Sequence, residues 1–390
     1  MKRILILGAG IYQSRLILSA KNRGIETHVA SIEGNYPGIE MADYFHPIDT
    51  TDEAEILQLA TSIKIDAILT TGSDVCVPTI GLVADKLGLA GTGRRSSKIC
   101  MDKRKMKTAF LEAEVPTPNF EIVSSIKECR KAVEKLGFPC VIKAPDSSGS
   151  RGINTVYSFD EVDDSYEDSA KVSRCGELIV EEWVFGEEYG AQAVVCDSQL
   201  IGLMIHADVV TPPPRRIPVG HSAPHPKENS MFKETKECVE RAILATGIDN
   251  TISNVDLILT ERGPVIIEIA ARMGGTCIPE VCGKWWGVDL YDMALDISLG
   301  MKVEFPKSPT GVPNAAHLVW SNEEGTIRSF GPKEEGLAWN IEAELGTKVS
   351  IFTSGNLRLG DVSSSSDNTK ISEEEVSRAA NDFMRGLIVN

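Results

Sequence analysis

No stretch of this 390-residue chain approaches the run of about eighteen apolar residues that suggests a membrane-spanning helix. Nor is there a CxxC pair. The nine cysteines, Cys76, Cys100, Cys129, Cys140, Cys175, Cys196, Cys238, Cys277 and Cys282, are scattered and odd in number, which argues for reduced thiols rather than a disulfide framework. Basic residues are in deficit: 40 Lys and Arg against 56 Asp and Glu give a formal net charge of −16. That sign excludes a nucleic-acid backbone as the main partner. The chain begins on a strand-like segment, Arg3 to Leu7, with no apolar leader before it. Neither secretion nor membrane insertion is therefore expected, and a cytoplasmic location is. Cys277 and Cys282 flank a candidate helix but have no histidine nearby in sequence to activate them, so they read as packing residues.

What is present suggests two or three domains. The first hundred residues alternate strand and helix, as a doubly wound parallel sheet requires. Gly8-Ala9-Gly10 follows the first strand and invites a dinucleotide-binding reading with Glu33 as the ribose acid. Against it, Gln13 stands where the third glycine should be. Thr70-Thr71-Gly72-Ser73-Asp74 ends a later strand; Asp74 could meet a substrate ammonium or simply cap the next helix. Ser96 to Glu112 reads as one connecting helix, closed by Pro116 and Pro118. From there to Phe185 runs a small α+β unit. Between Pro212 and Pro226 lie six prolines with Arg215, Arg216, His221 and His225, a long loop whose cations suit a carboxylate substrate, or else a rigid surface loop. Ser372 and Glu375 form a capping-box pattern for the last helix.

The segment richest in chemistry is Val265-Ile266-Ile267-Glu268-Ile269-Ala270-Ala271-Arg272-Met273-Gly274-Gly275, with Asp256 twelve positions earlier. Two strands joined by Glu261-Arg262-Gly263-Pro264 can deliver both carboxylates to one cleft, where oxygen-only ligands suit Mg²⁺; the plain alternative is a hairpin with one solvated acid and one salt bridge. Upstream, Val141-Ile142-Lys143 runs into the small-residue loop Asp146-Ser147-Ser148-Gly149-Ser150-Arg151-Gly152, whose amides could line phosphates. Glu177 to Val184 is a further strand, and Met101-Asp102-Lys103 precedes both.

In this order the motifs resemble the ATP-grasp superfamily of carboxylate–amine ligases, in the branch of amino-acid ligases and carbamoyl-phosphate-synthetase-like enzymes. The resemblance implies an ATP-grasp fold of mixed α/β and α+β class. It would comprise a doubly wound N-terminal domain (1–95), an ATP-grasp domain (96–305) with a lid (about 117–185), and a small C-terminal unit (306–390). It implies ATP with Mg²⁺ or Mn²⁺, and Asp256 and Glu268 as the metal ligands. Lys103, Lys143, Ser148, Gly149, Ser150 and Gly152 would meet phosphates, with Glu181, Glu182, Trp183, Val184 and Glu188 around adenine and ribose. Arg272 and Glu268 would serve the transferring phosphoryl group, with Asp74, Arg215, His221, Arg272 and Gly275 near the substrate. The reaction implied joins an amino-acid carboxylate to an amine through an acyl phosphate, between small molecules, in a family where homodimers are common. Ala270 departs from the family, which often has asparagine there, and leaves the metal count open. A bicarbonate-activating carboxylase or carbamoyl-phosphate-type enzyme, or an NAD-dependent oxidoreductase using Gly8 and Gly10, are the competing readings.

Overall fold

The computed structural model describes residues 1–147, 151–212 and 216–390. The first sheet is parallel throughout, with β1 (Arg3–Leu7), β2 (Glu26–Ser31), β3 (Tyr44–Pro47) and β4 (Ala67–Leu69) in the order β3-β2-β1-β4. Ile4 to Leu7 are fully buried, as parallel strands covered on both faces must be. Because the chain turns back between β1 and β4, their carboxyl ends bound the crevice where open α/β sheets hold ligands. A parallel bridge from Thr71 to Met273 and a bond from the Gly72 N–H to the Met273 carbonyl (3.0 Å) tie that crevice to the chain after Arg272.

A second, antiparallel sheet orders β5 (Phe120–Val123), β6 (Cys140–Lys143), β7 (Ile153–Val156) and β8 (Leu178–Glu182) as β5-β8-β6-β7. Its apolar side packs on Cys129, Ala132 and Val133 of the helix Ile126–Leu136 and on Val162 of the helix Val162–Val172.

The largest sheet is antiparallel and has eight strands. They are β9 (Glu187–Cys196), β10 (Gln199–Val210), β11 (Pro218–Ala223), β12 (Thr251–Thr260), β13 (Gly263–Ala270), β14 (Asn314–Trp320), β16 (Ala338–Ile341) and β18 (Arg358–Ser365). Strand alternation sorts its two faces. Ala191, Ala193, Val195, Leu203, Ile205, Val255 and Leu257 share a core with Val239, Ala242 and Ile243 of the helix Glu228–Thr246. The intervening positions Gly190, Gln192, His206, Asn254 and Asp256 occupy the opposite face. The remaining short strands β15 (Gly325–Ser329), β17 (Lys348–Val349) and β19 (Ile388–Val389) form a three-stranded sheet. The helix Thr369–Arg385 closes the C-terminal unit, inserting Phe383 against Phe330 and Trp339.

Three sequence expectations change. Ser96–Glu112 is two helices, Arg94–Met101 and Lys103–Glu112. They break at Asp102, which is extended and accepts the Arg104 N–H at 3.0 Å as an N-cap. The proline-rich segment is not one loop, because Pro218–Ala223 pairs with both β10 and β14; Pro218 begins this strand and Pro224 follows it, where no ladder donor is lost. The last helix is capped by Asn368, whose side chain accepts the Lys370 N–H, while Ser372 is buried inside it. No helix among the described residues is long and apolar enough to cross a membrane.

Phe383 has no exposed surface. Phe383→Ala should cost about 3–5 kcal/mol, read as a lowered midpoint in chemical denaturation.

Candidate active site

The two acids meet across the β12/β13 ladder, where Asp256 is the direct partner of Glu268, next to a bulge before Leu257. Facing residues of an antiparallel pair point the same way, so two carboxylates share one cleft. Although solvent still reaches Asp256, burial, then the charges of Glu268 and Asp208, push its pKa up to about 7. An all-oxygen, like-charged donor set of this kind fits Mg²⁺, and the residues present are compatible with it. Asn254, two residues before Asp256 on the same face, donates its amide to Asp256 at 2.9 Å and accepts from Gln192 at 2.6 Å. It pairs across the ladder with Ala270. An amide thus stands beside the acids despite Ala270, supplied by the neighbouring strand.

Lys103 begins its helix beside this pair. Its ammonium donates to Glu268 and to the Ser147 carbonyl, both at 3.0 Å. Burial alone would lower its pKa, but Glu268 outweighs that and holds it raised. Arg272, after β13, forms an ion pair with Asp74 at 2.7 Å. Asp74 therefore neither caps the following helix, whose N-cap is Cys76, nor stands open for an ammonium. Gly275 lies against the ring of Tyr12, about which an added Cβ would approach to 3.1 Å.

Lys143 forms an ion pair with Glu181 at 2.7 Å. A second lysine, not singled out in the sequence, holds the same carboxylate: Lys107 reaches Glu181 at 3.0 Å and donates to Thr117 at 2.9 Å. Burial pushes the Lys107 pKa down to about 8, while the two ammonium groups overcome burial to hold Glu181 low. Its signal was the spacing Lys103-x-x-x-Lys107, one helical turn, which puts both on one face. The Glu182 side chain points the other way and binds Asn119 through both oxygens at 2.9 Å. Trp183 and Val184 are half-buried beyond β8, and Glu188 is paired with Arg216 at 2.5 Å. Gly152 adopts φ +64 and its carbonyl accepts the Ala144 N–H at 3.0 Å. Ser148, Gly149, Ser150 and Arg215 lie outside the described residues.

His221 is not on an open loop. It is buried on β11, and its Nδ1 lies 2.6 Å from Asp208, which also meets His206 Nδ1 at 2.8 Å. In the first βα turn, the Gln13 carboxamide accepts the Gly10 N–H at 2.9 Å and fills the space above Gly8. A dinucleotide pyrophosphate would need that space. Glu33 is exposed, and Cys277 and Cys282 are buried with their thiols pushed well above the usual range by burial.

Residues 100–276 match the family model for the ATP-grasp domain. That segment, which carries Lys103, Lys143, Glu181, Asp256, Glu268 and Arg272, is an ATP-grasp domain. Among particular relatives, the L-arginine-specific L-amino acid ligase of Bacillus subtilis is 25% identical over 78% of this chain and 76% of its own length. An uncharacterized protein of Sinorhizobium fredii, y4rH, is 24% identical over 72% of this chain; the match spans 59% of that relative's length. A crystal structure of phosphoribosylglycinamide synthetase from Anaerococcus prevotii superposes with a TM-score of 0.81 at 26% identity, covering 100% of this chain and 99% of the other.

If Asp256 is a ligand of Mg²⁺, proton and cation compete for it, and Mg²⁺ should bind more tightly, in the presence of ADP, as pH rises from about 6 to 8. Calorimetry checks this, and Asp256→Asn should abolish the slope. A wild-type affinity flat across that range would remove Asp256 from the ligand set.

Proposed function

We propose that the protein is an ATP- and Mg²⁺-dependent ligase that activates an amino-acid carboxylate as an acyl phosphate and transfers it to an amine. The observation that carries this reading is the convergence of Asp256, Glu268, Lys103 and Arg272 on one cleft. It places two metal-type carboxylates beside two cations that a phosphoryl group can take over. Each cation has a carboxylate partner, Glu268 for Lys103 and Asp74 for Arg272. Bound Mg²⁺ supplies the positive charge that neutralises the phosphate oxygens. With the metal held by Asp256 and Glu268, Lys103 would exchange its carboxylate partner for a phosphate oxygen, and Lys143 would do the same while Lys107 keeps Glu181 ionised. Trp183 and Val184 offer backbone groups at the adenine end.

Arg272 lies nearest the substrate crevice. Its guanidinium stabilises charge developing on the transferred group and then on the tetrahedral adduct. The amino-acid-ligase relative supports an amino-acid carboxylate as the activated acid. Gly275, the Asp74–Arg272 pair and the carboxyl ends of β1 and β4 would form the wall against which the carboxylate rests. The decisive assay is phosphate release from ATP and Mg²⁺ across a matrix of amino acids and amines, with products identified by mass. Release that requires bicarbonate instead of an amino acid would replace this reading with the carboxylase one. Arg272→Ala should retain ATP in equilibrium binding yet lose about 10²- to 10³-fold in product formation; wild-type turnover from that variant would deny Arg272 its role.

A further inference from the structure

On the cleft face of the large sheet, Asp256, Gly190 and His206 make one row across β12, β9 and β10, and Asn254, Gln192 and Met204 make the next. Gln192 stands at the centre of the second row with no exposed surface. Its oxygen accepts the Gly274 N–H at 2.8 Å, while its nitrogen donates to the Ala191 carbonyl at 3.1 Å and to Asn254 Oδ1 at 2.6 Å. Two of these partners are backbone groups with one possible role each, an N–H that donates and a carbonyl that accepts. They fix which end of the Gln192 carboxamide is oxygen. Gln192 must then donate to Asn254, so Asn254 presents its own nitrogen to Asp256, at 2.9 Å. Every hydrogen bond from Gly274 to Asp256 runs in one direction, and the chain ends on a carboxylate oxygen that accepts.

The far end of the chain is the loop that follows Arg272. There the peptide between Met273 and Gly274 is held on both sides. Its carbonyl accepts the Gly72 N–H at 3.0 Å, from the crevice of the first sheet, and its N–H goes to Gln192. The preceding carbonyl, that of Arg272, accepts the Asn254 backbone N–H at 2.9 Å. Gly274 leaves no room for a side chain: an added Cβ would stand 2.9 Å from Asn254 Oδ1 and 3.1 Å from Gln192 Nε2. Both amides therefore pack directly against the loop they hold.

The geometry points to Gln192 as a positioning residue that ties the Met273–Gly274 peptide to Asp256 through Asn254, so that a cation held by Asp256 is felt at the loop beside the substrate crevice. This rests on the reading of Asp256 as a metal ligand. Hydrogen-bond partners behind a ligating carboxylate orient it, and losing one typically weakens metal binding about 10- to 100-fold. Here the partner is itself anchored. Any movement of Asp256 on taking up a cation passes to Asn254, then to Gln192, then to the Gly274 amide. The same link works in reverse, because a coupling free energy between two sites is reciprocal. Neither amide carries charge, so the link is one of geometry and directed hydrogen bonds.

Two measurements on the full-length protein test this: calorimetry of Mg²⁺ binding in the presence of ADP, and hydrogen exchange of the Gly274 amide resolved by mass spectrometry. Gln192→Met keeps the side chain's length and removes its polar contacts. Asn254→Ala removes the step to Asp256 and leaves the Gly274–Gln192 bond in place; it decides alone should Gln192→Met not fold. Each variant should weaken Mg²⁺ binding about 10-fold or more. The double variant should bind no more weakly than the more affected single one, since both cut one chain. Adding Mg²⁺ to the ADP-bound wild type should slow exchange at Gly274, whereas in Asn254→Ala that amide should stay protected but lose the response. Wild-type Mg²⁺ affinity in either variant, additive losses in the double variant, or an undiminished response at Gly274 in Asn254→Ala overturns the proposal. A lowered melting temperature with Mg²⁺ affinity unchanged assigns the two amides to packing alone and overturns it as well. If the wild type binds no Mg²⁺, or Asp256→Asn binds it as the wild type does, the metal-ligand reading itself fails, and the link with it.

Discussion

The cleft depends on one unfavourable pairing, two carboxylates facing each other across an antiparallel ladder. Ladder geometry forces Asp256 and Glu268 onto the same face, and like charges directly opposite are destabilising unless something intervenes. The protein answers from three directions. Lys103 takes Glu268, Asn254 donates to Asp256, and Arg272 is close enough to act on both, though its own partner is Asp74. Compensation is partial, because Asp256 keeps a proton affinity far above that of an ordinary aspartate. The pair keeps a like-charge stress that a divalent cation would relieve.

A similar logic governs the nucleotide side with opposite sign. Glu181 is the only carboxylate among the described residues shown in ion pairs with two lysines, and all three side chains are nearly inaccessible to water. Lys107 comes from the helix Lys103–Glu112, whereas Glu181, Lys143 and Thr117 belong to the smaller sheet and the chain entering it. A buried ion cluster is poor at adding net stability but costly to break from one side. Its consequence here is geometric: the position of the small sheet over the cleft is fixed by where Lys107 must place its charge. Were Lys143 to turn to another anion, Glu181 would keep Lys107 as a partner.

Much of this was legible in the sequence, and the limit has a physical origin. Strand-end chemistry is local, so Lys143, Glu268 and Arg272 could be located from apolar runs that stop at a charge. The N-terminal sheet was readable for the same reason. Which of two adjacent acids turns inward was not: Glu181 and Glu182 differ only in phase, and the phase is set by the neighbouring strands β5 and β6. The His206-Ala-Asp208 spacing could have been read as two residues on one strand face. Its relation to Asp256 runs through strand order β12-β9-β10-β11, which no local pattern contains. The proline-rich segment misled because prolines at strand edges look like loop prolines until the partner strand is known.

The strand order also explains why one residue without a side chain matters so much. Gly190 lies between the acids and the histidine pair, and any Cβ there would collide with the imidazole of His206. With a side chain at 190, His206 would turn away, Asp208 would lose one of its two donors, and the row would be cut in half. The glycine therefore joins two chemistries on one surface, a cation-binding pair of acids and a carboxylate-anchored pair of bases. One strand stands between them, so Asp256 on β12 and His206 on β10 lie two strand spacings apart, roughly 10 Å.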